Sequence, residues 1–200
     1  MQIDFTEFEK TEYGKAIEAF EKLAEKRKEH TIGVALTARQ LAKVYGADST
    51  KVTIASLCHD LFRGKTIEEI NSWVKKYNLG DKYLGNANLA HGKIAEVYAK
   101  EELGIKDEEI LRGISYHTTA KADMDLIEKI VFIADAIEPG RDYPGVEEIR
   151  EMAFFDIDGA CLKSLEGIIE HLLESGMKLE DIDIDTIEAR DYLMEKERKN

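Results

Sequence analysis

Apolar residues recur at three- and four-residue intervals almost from one end of this 200-residue chain to the other. A helical period that persistent leaves little else for the chain to become. Only two prolines interrupt it, and Val, Thr and aromatic residues nowhere gather into the alternating runs that strands need. Phe5, Phe8, Phe20 and Leu23 predict an N-terminal helix or helix pair, broken near Gly14 or running through it. His30, Val34, Ala38, Leu41 and Tyr45 mark the next helix, closed by Gly46. Ser49 is the predicted N-cap of a helix carrying Val52, Ala55 and His59 on one stripe. Thr66 to Glu69 reads as a capping box ahead of Ile70, Trp73, Val74 and Tyr77.

The Gly- and Asn-rich NLGDKYLGNAN leads to a helix near Leu89–Leu103, stopped by Gly104. Asp107 is the predicted cap for the segment with Ile110, Ile114 and His117, and Asp125 for the one with Ile127, Val131 and Asp135, with Glu128 in its third position. Beyond the turn EPGRDYPG come helices near 146–154 and 157–175, the latter ended by Gly176, and the acidic C-terminal tail reads as a surface helix. The expected architecture is an all-α bundle with short connections, and the length suits one domain.

Charge narrows the function. With 28 basic against 41 acidic residues, the formal net charge is −13, which repels nucleic-acid backbones and anionic lipid. A polyanionic substrate is compatible only where metals or local Arg and Lys offset its charge. The opening MQIDFTEFEKTEYGK has no apolar segment of a signal peptide, and no window reaches transmembrane length, so a cytoplasmic location is expected. Cys58 and Cys161 lie far apart in apolar surroundings, which predicts two buried free thiols rather than a disulfide or a zinc site.

Four of the five histidines fall on four different predicted helices. His30, His59, His117 and Asp135 each stand three, four or seven residues from apolar positions of their own helix and so point toward the core, where an unpaired polar group costs several kcal/mol. Taken singly, His30 or His91 reads as a satisfied histidine. Together with Asp60, which directly follows His59, the set needs a shared partner, and a metal supplies one. The two oxygens of Asp60 suit a bridge between two ions, with His30, His59 and Asp135 on one and His91 and His117 on the other. Two ions ~3.5–4 Å apart clamp a bridging hydroxide and bind a phosphoryl oxygen, which is hydrolytic phosphorus chemistry. There is no GxSxG elbow, P-loop or GxGxxG. His171, between acids in IIEHLLE, reads as a surface histidine, and Trp73 as a core residue rather than a base-stacking platform.

The order H…HD…H…H…D on an all-helical chain resembles the HD-domain metal-dependent phosphohydrolases, with their HD/PDEase-like helical bundle. RKEHTIGVALTARQLAKVYG, IASLCHDL, NLAHGKIA and EEILRGISYHTTAKADMDLIEKIVFIADAIEPGRDYPGVEEIR are similar to the YqeK-type symmetrical bis(5′-nucleosyl)-tetraphosphatases of bacteria. The likeness covers roughly residues 15 to 195 and is most specific from His117 to Arg150. It implies one HD-type domain over 1–200, with its core roughly at 25–178 and a peripheral C-terminal helix. It implies metal ligands at His30, His59, Asp60, His91, His117 and Asp135, with the His59–Asp60 doublet at the catalytic centre. It implies hydrolysis of diadenosine tetraphosphate to two ADP, and iron at a dinuclear site, where ligand type alone admits Mn, Co or Ni equally.

For the substrate phosphates the candidates are Arg63, Thr118, Thr119, Arg141 and Arg27. Arg63 stands where the family usually has lysine, with an exposed turn residue as the alternative. Thr118 and Thr119 donate to phosphate or only cap a helix end. Arg141 binds phosphate or pairs with Glu138 or Asp142, and Arg27 serves structure or substrate. Ala120 replaces the more usual Gly of HTTG and fits if the local φ is negative. Two alternatives accompany this reading. One is an HD phosphohydrolase acting on nucleoside mono- or triphosphates or cyclic dinucleotides. The other is a non-catalytic nucleotide-binding module. Exposed Phe and Tyr near the N-terminus make a second copy of the chain a candidate partner.

Overall fold

The computed structural model describes residues 2–199, and among them there is no strand. Among the described residues eleven α-helices follow one another: α1 Glu7–Glu12, α2 Gly14–Glu21, α3 Glu25–Tyr45, α4 Ser49–Cys58, α5 Ile67–Lys76, α6 Ala87–Glu101, α7 Glu108–Tyr116, α8 Leu126–Ile137, α9 Val146–Ala153, α10 Ile157–Glu174 and α11 Ile184–Glu197. None is long and apolar enough to cross a membrane. The N-terminal segment is a helix pair, with the break at Tyr13.

The helix starts follow their capping chemistry. Thr66 and Asp125 form capping boxes with Glu69 and Glu128, and Asp107 accepts from the N–H groups of Glu109 and Ile110. One expected cap moves by a residue. Asp48, not Ser49, caps α4, accepting from Thr50 N at 2.8 Å and Lys51 N at 3.1 Å. A carboxylate at the cap also meets the positive end of the helix dipole, which a hydroxyl does not. Likewise Asn86 starts α6 at Ala87, two residues earlier than the apolar pattern suggested.

The short helix α4 is the centre of the bundle, packed by α2, α3, α7 and α8. Val52, Ile54, Ala55, Leu57 and Cys58 have no exposed surface, so the helix is apolar all round, as a fully enclosed helix must be. Its buried hydroxyls are satisfied internally, Thr53 Oγ1 donating to Ser49 O and Ser56 Oγ to Val52 O. Both cysteines are free and buried as expected, and burial pushes the Cys58 thiol up to about 12. His171 is on the surface, and α11 contributes Ala189 and Leu193 to the core against α10.

Close approach between helices depends on Gly92 of α6. A Cβ there would stand 3.0 Å from Ser115 O and 3.2 Å from Ile114 O, so α6 and α7 meet almost backbone to backbone. Gly92→Ala would also bring its methyl group within 3.1 Å of His117 Cε1, so either α7 or the His117 ring must shift. It is expected to cost about 1–3 kcal/mol, read by denaturant unfolding. Wild-type stability would contradict this packing.

Candidate metal centre

The C-terminal end of α4 delivers the His59–Asp60 doublet, and four other helices converge on it. His30 comes from the second turn of α3, His91 from α6, His117 from the end of α7 and Asp135 from the last turn of α8. All six sequence-predicted ligands meet in one place. Ligand atoms of His30, His59 and Asp60 lie within 4.8 Å of one another, as do those of His59, His117 and Asp135, and those of Asp60, His91 and His117. Asp60 is at the middle. Its Oδ2 lies 3.5 Å from His59 Nε2 and 3.6 Å from His30 Nε2, while its Oδ1 lies 3.3 Å from His91 Nε2 and 3.8 Å from His117 Nε2.

Each imidazole is oriented by its other nitrogen. His59, His91 and His117 place Nδ1 at the carbonyls of Ser56, Ala87 and Ile114, at 2.6, 3.1 and 2.8 Å. An Nδ1 beside a carbonyl carries the proton, which leaves Nε2 as a lone pair. His30 Nδ1 meets Glu138 Oε1 at 3.1 Å to the same effect. Four lone pairs therefore point into one volume. Those of His91 and His117 face each other at 2.9 Å with no proton between them, and the Nε2 atoms of His30 and His59 are buried without a hydrogen-bond partner. Such an arrangement is repulsive unless cations stand among the nitrogens. The donor set fits divalent metal ions, since imidazole nitrogen and carboxylate oxygen suit the middle transition series.

The protonation of His59, His117, Asp60 and Asp135 agrees with that fit, whereas His30 moves the other way: burial opposes its charge, but Asp135 and Glu138 outweigh burial and raise it. Burial, with His59 and His91 alongside, pushes His117 down to about 3, and burial lowers His59 too. Burial opposes ionisation of Asp60, but the imidazoles of His59, His91 and His117 outweigh it and hold the carboxyl below its usual range. Asp135 behaves alike: burial is overcome by His30, His59 and Arg141. Neutral imidazoles and ionised carboxylates are the forms that ligate.

The expected phosphate candidates separate. Arg27 Nη1 contacts Asp60 Oδ2 at 2.5 Å. Arg141 pairs with neither Asp142 nor, closely, Glu138; its Nη2 is 2.5 Å from Asp135 Oδ1 and its Nε donates to Asp135 O. Thr118 Oγ1 lies 3.0 Å from His117 Nε2 and 3.3 Å from His91 Nε2, whereas the Thr119 hydroxyl donates to the carbonyl of Ala120. Arg63 is exposed, and its Nη1 donates to Asn88 Oδ1 at 2.7 Å. Ala120 departs from expectation: its φ is +55°, not negative. The left-handed cost of about 1–2 kcal/mol for a non-glycine residue is offset in part by burying its methyl group completely and by the bond from its N–H to Tyr116 O.

Sequence reasoning missed Glu138 as a site residue. Its buried carboxylate accepts from His30 and, at 2.6 Å, from Gly140 N. A Cβ at Gly33 would come within 2.6 Å of Glu138 Oε2, and one at Gly140 within 2.9 Å of its Oε1. Those two glycines, in HTIG and EPGR, form the cradle that was the available signal.

The HD domain family matches residues 27–140, a span that holds all six converging residues, and the chain belongs to that family. Two curated proteins named bis(5′-nucleosyl)-tetraphosphatase, symmetrical, are similar to it. The one from Halalkalibacterium halodurans is 40% identical across 83% of this chain and 90% of its own length. The one from Staphylococcus aureus is 43% identical across 68% of this chain and 71% of its own. A crystal structure from Clostridium acetobutylicum, of a protein described as a predicted HD superfamily hydrolase involved in NAD metabolism, superposes with a TM-score of 0.84. That protein is 39% identical, and the match covers 92% of this chain and 97% of the other. Within the HD proteins, the chain belongs to the family of symmetrical bis(5′-nucleosyl)-tetraphosphatases.

Glu138→Ala removes the acceptor that aims His30. It is expected to weaken metal binding about 10–100-fold, measured by Mn(II) titration against a competing chelator. Unchanged affinity would remove Glu138 from the site.

Proposed function

We propose that this chain hydrolyses diadenosine tetraphosphate symmetrically, to two molecules of ADP, at a dinuclear metal centre held by His30, His59, Asp60, His91, His117 and Asp135. The observation that carries the reading is the position of Asp60, whose two oxygens each face a separate pair of imidazoles. Kinship with symmetrical tetraphosphatases supports the substrate. It also favours this reaction over that of an HD enzyme for nucleoside mono- or triphosphates or cyclic dinucleotides, and the complete set of converging donors disfavours a non-catalytic module. When bound, the ions supply Lewis-acid charge for phosphoryl oxygens and acidify water near neutral pH. We take iron as the physiological metal from the family resemblance. The donors accommodate Mn, Co and Ni as well.

The chain's own residues have separable tasks. Glu138 and the carbonyls of Ser56, Ala87 and Ile114 hold the four imidazoles in the ligating tautomer. Arg27 and Arg141 stand beside Asp60 and Asp135 and bring positive charge to a site whose protein otherwise repels a tetra-anion. An Arg fork donates to two phosphate oxygens in its plane, so these two arginines orient as well as attract the substrate. The Thr118 hydroxyl, already directed at the cluster, donates to a phosphoryl oxygen; Thr119 and its bond to Ala120 hold the turn that presents Thr118. We read the chain as one HD-type unit over 1–200, in which the core expected at 25–178 is joined by Ala16 and Phe20 of α2 and by Ala189 and Leu193 of α11.

Anaerobically purified protein is expected to carry two metals per chain and to release ADP alone from diadenosine tetraphosphate, as read by metal analysis and product chromatography. AMP with ATP would indicate asymmetric cleavage and overturn the reading. Asp60→Ala should lose metal, and its turnover should fall by about a hundred- to a thousandfold, the scale of removing a principal charge-stabilising group.

A further inference from the structure

Asp135 stands in the last turn of α8, and the final carbonyls of a helix have no partner within it. The chain leaves this helix at Glu138, which precedes Pro139 and is extended at φ −52° and ψ 155°. The carbonyls released there are taken by side chains. Asp135 O accepts from Arg141 Nε at 2.8 Å, Ala136 O from the Tyr143 hydroxyl at 3.0 Å and Ile137 O from Arg150 Nε at 2.9 Å. The turn from Glu138 to Arg141 is closed by Arg141 N donating to Glu138 O at 2.9 Å. It carries two groups of the site: the carboxylate that meets His30 and the guanidinium that meets Asp135.

Arg150, from the second turn of α9, holds both ends of that turn at once. Besides Ile137 O it reaches Glu138 O and Arg141 O with Nη2, at 3.0 and 2.6 Å, while its Nη1 pairs with the exposed Glu147. Its side chain is only 22% exposed, so the charge is largely withdrawn from water and faces the negative end of the α8 dipole. Charge-assisted bonds of this kind are the strong ones. A rigid planar fork also fixes the spacing of the carbonyls it spans, which a flexible ammonium does not. Among the described residues none of its bonds goes to a ligand side chain, so its influence on the metal centre passes through the turn.

We propose that Arg150 is a positioning residue of the metal centre. By holding the Glu138–Arg141 turn it fixes where the Glu138 carboxylate stands, and Glu138 in turn fixes the tautomer and aim of His30. The same hold seats Arg141 against Asp135. The helix α9 supplies none of the six ligands, so it contributes to the site only by securing this turn. The inference rests on the metal-centre reading and on no choice of substrate.

The test is Arg150→Met and Arg150→Lys in the full chain, each alone and in the Glu138→Ala background, with Glu147→Gln as control. Denaturant unfolding is measured on metal-free protein, and Mn(II) affinity by titration against a competing chelator. Each Arg150 variant should stay folded and bind Mn(II) about tenfold more weakly, the scale of losing a group that orients a ligand. In the Glu138→Ala background the same substitution should add less than about threefold, because the route is already cut. Glu147→Gln, which removes only the exposed ion pair, should bind as wild type does. Wild-type affinity in both Arg150 variants would overturn the proposal. An undiminished loss in the Glu138→Ala background would overturn it too, since Arg150 would then act by another route. Metal-free unfolding of both variants would do the same, by making Arg150 a residue of the bundle's stability. Wild-type protein that binds no Mn(II) would overturn the metal-centre reading and this proposal together. The expected affinities without cleavage of diadenosine tetraphosphate would support the proposal and overturn only the substrate.

Discussion

Four imidazole lone pairs aimed into one buried volume repel one another, and the rest of the structure is arranged to hold them there. The nitrogens of His91 and His117 are 2.9 Å apart. No hydrogen bond relieves that contact, because a carbonyl has already claimed each ring's proton. In the proposed centre, metal ions would turn that conflict into ligation. The Arg27 and Arg141 guanidiniums stand beside the two carboxylates, and the Thr118 hydroxyl lies against the imidazoles of His91 and His117. The cost of holding like groups together falls on the apolar helix beneath them. Val52 to Cys58 of α4 are enclosed on all sides, and each large apolar side chain so buried contributes about 1.5–3 kcal/mol.

Charge organises the molecule on a longer scale. A strongly acidic protein that acts on a polyphosphate has to reverse its own field locally. Here Arg27 at the start of α3 and Arg141 after α8 bring positive charge to the ligand cluster. The acidic residues elsewhere keep nonspecific polyanions away from the surface. Attraction and exclusion are thus divided between two parts of one surface.

Much of this was legible in the sequence because helical period and capping chemistry are local. The boxes at Thr66 and Asp125 and the left-handed stop at Gly46 form where the pattern placed them. So does the convergence of the six histidine and aspartate residues, since His30, His59, His117 and Asp135 stand at core-facing spacing on their segments and Asp60 follows His59. The misplaced features are those in which neighbouring residues or distant segments compete. Asp48 takes the cap from Ser49 because its carboxylate reaches two N–H groups. Ala120 accepts a left-handed φ because tertiary burial compensates it. Glu138 entered the sequence reading only as an ion-pair alternative for Arg141, and only the fold brings His30 and Gly33, more than a hundred residues earlier, against it.

The central claim is that the Asp60 carboxylate is shared by two ions. Anomalous diffraction at the absorption edge of the bound metal, on crystals of the loaded protein, tests it directly. The account predicts two peaks, one beside Oδ2 among His30, His59 and Asp135, the other beside Oδ1 among His91 and His117. A single peak, or two with Asp60 touching only one, would contradict it.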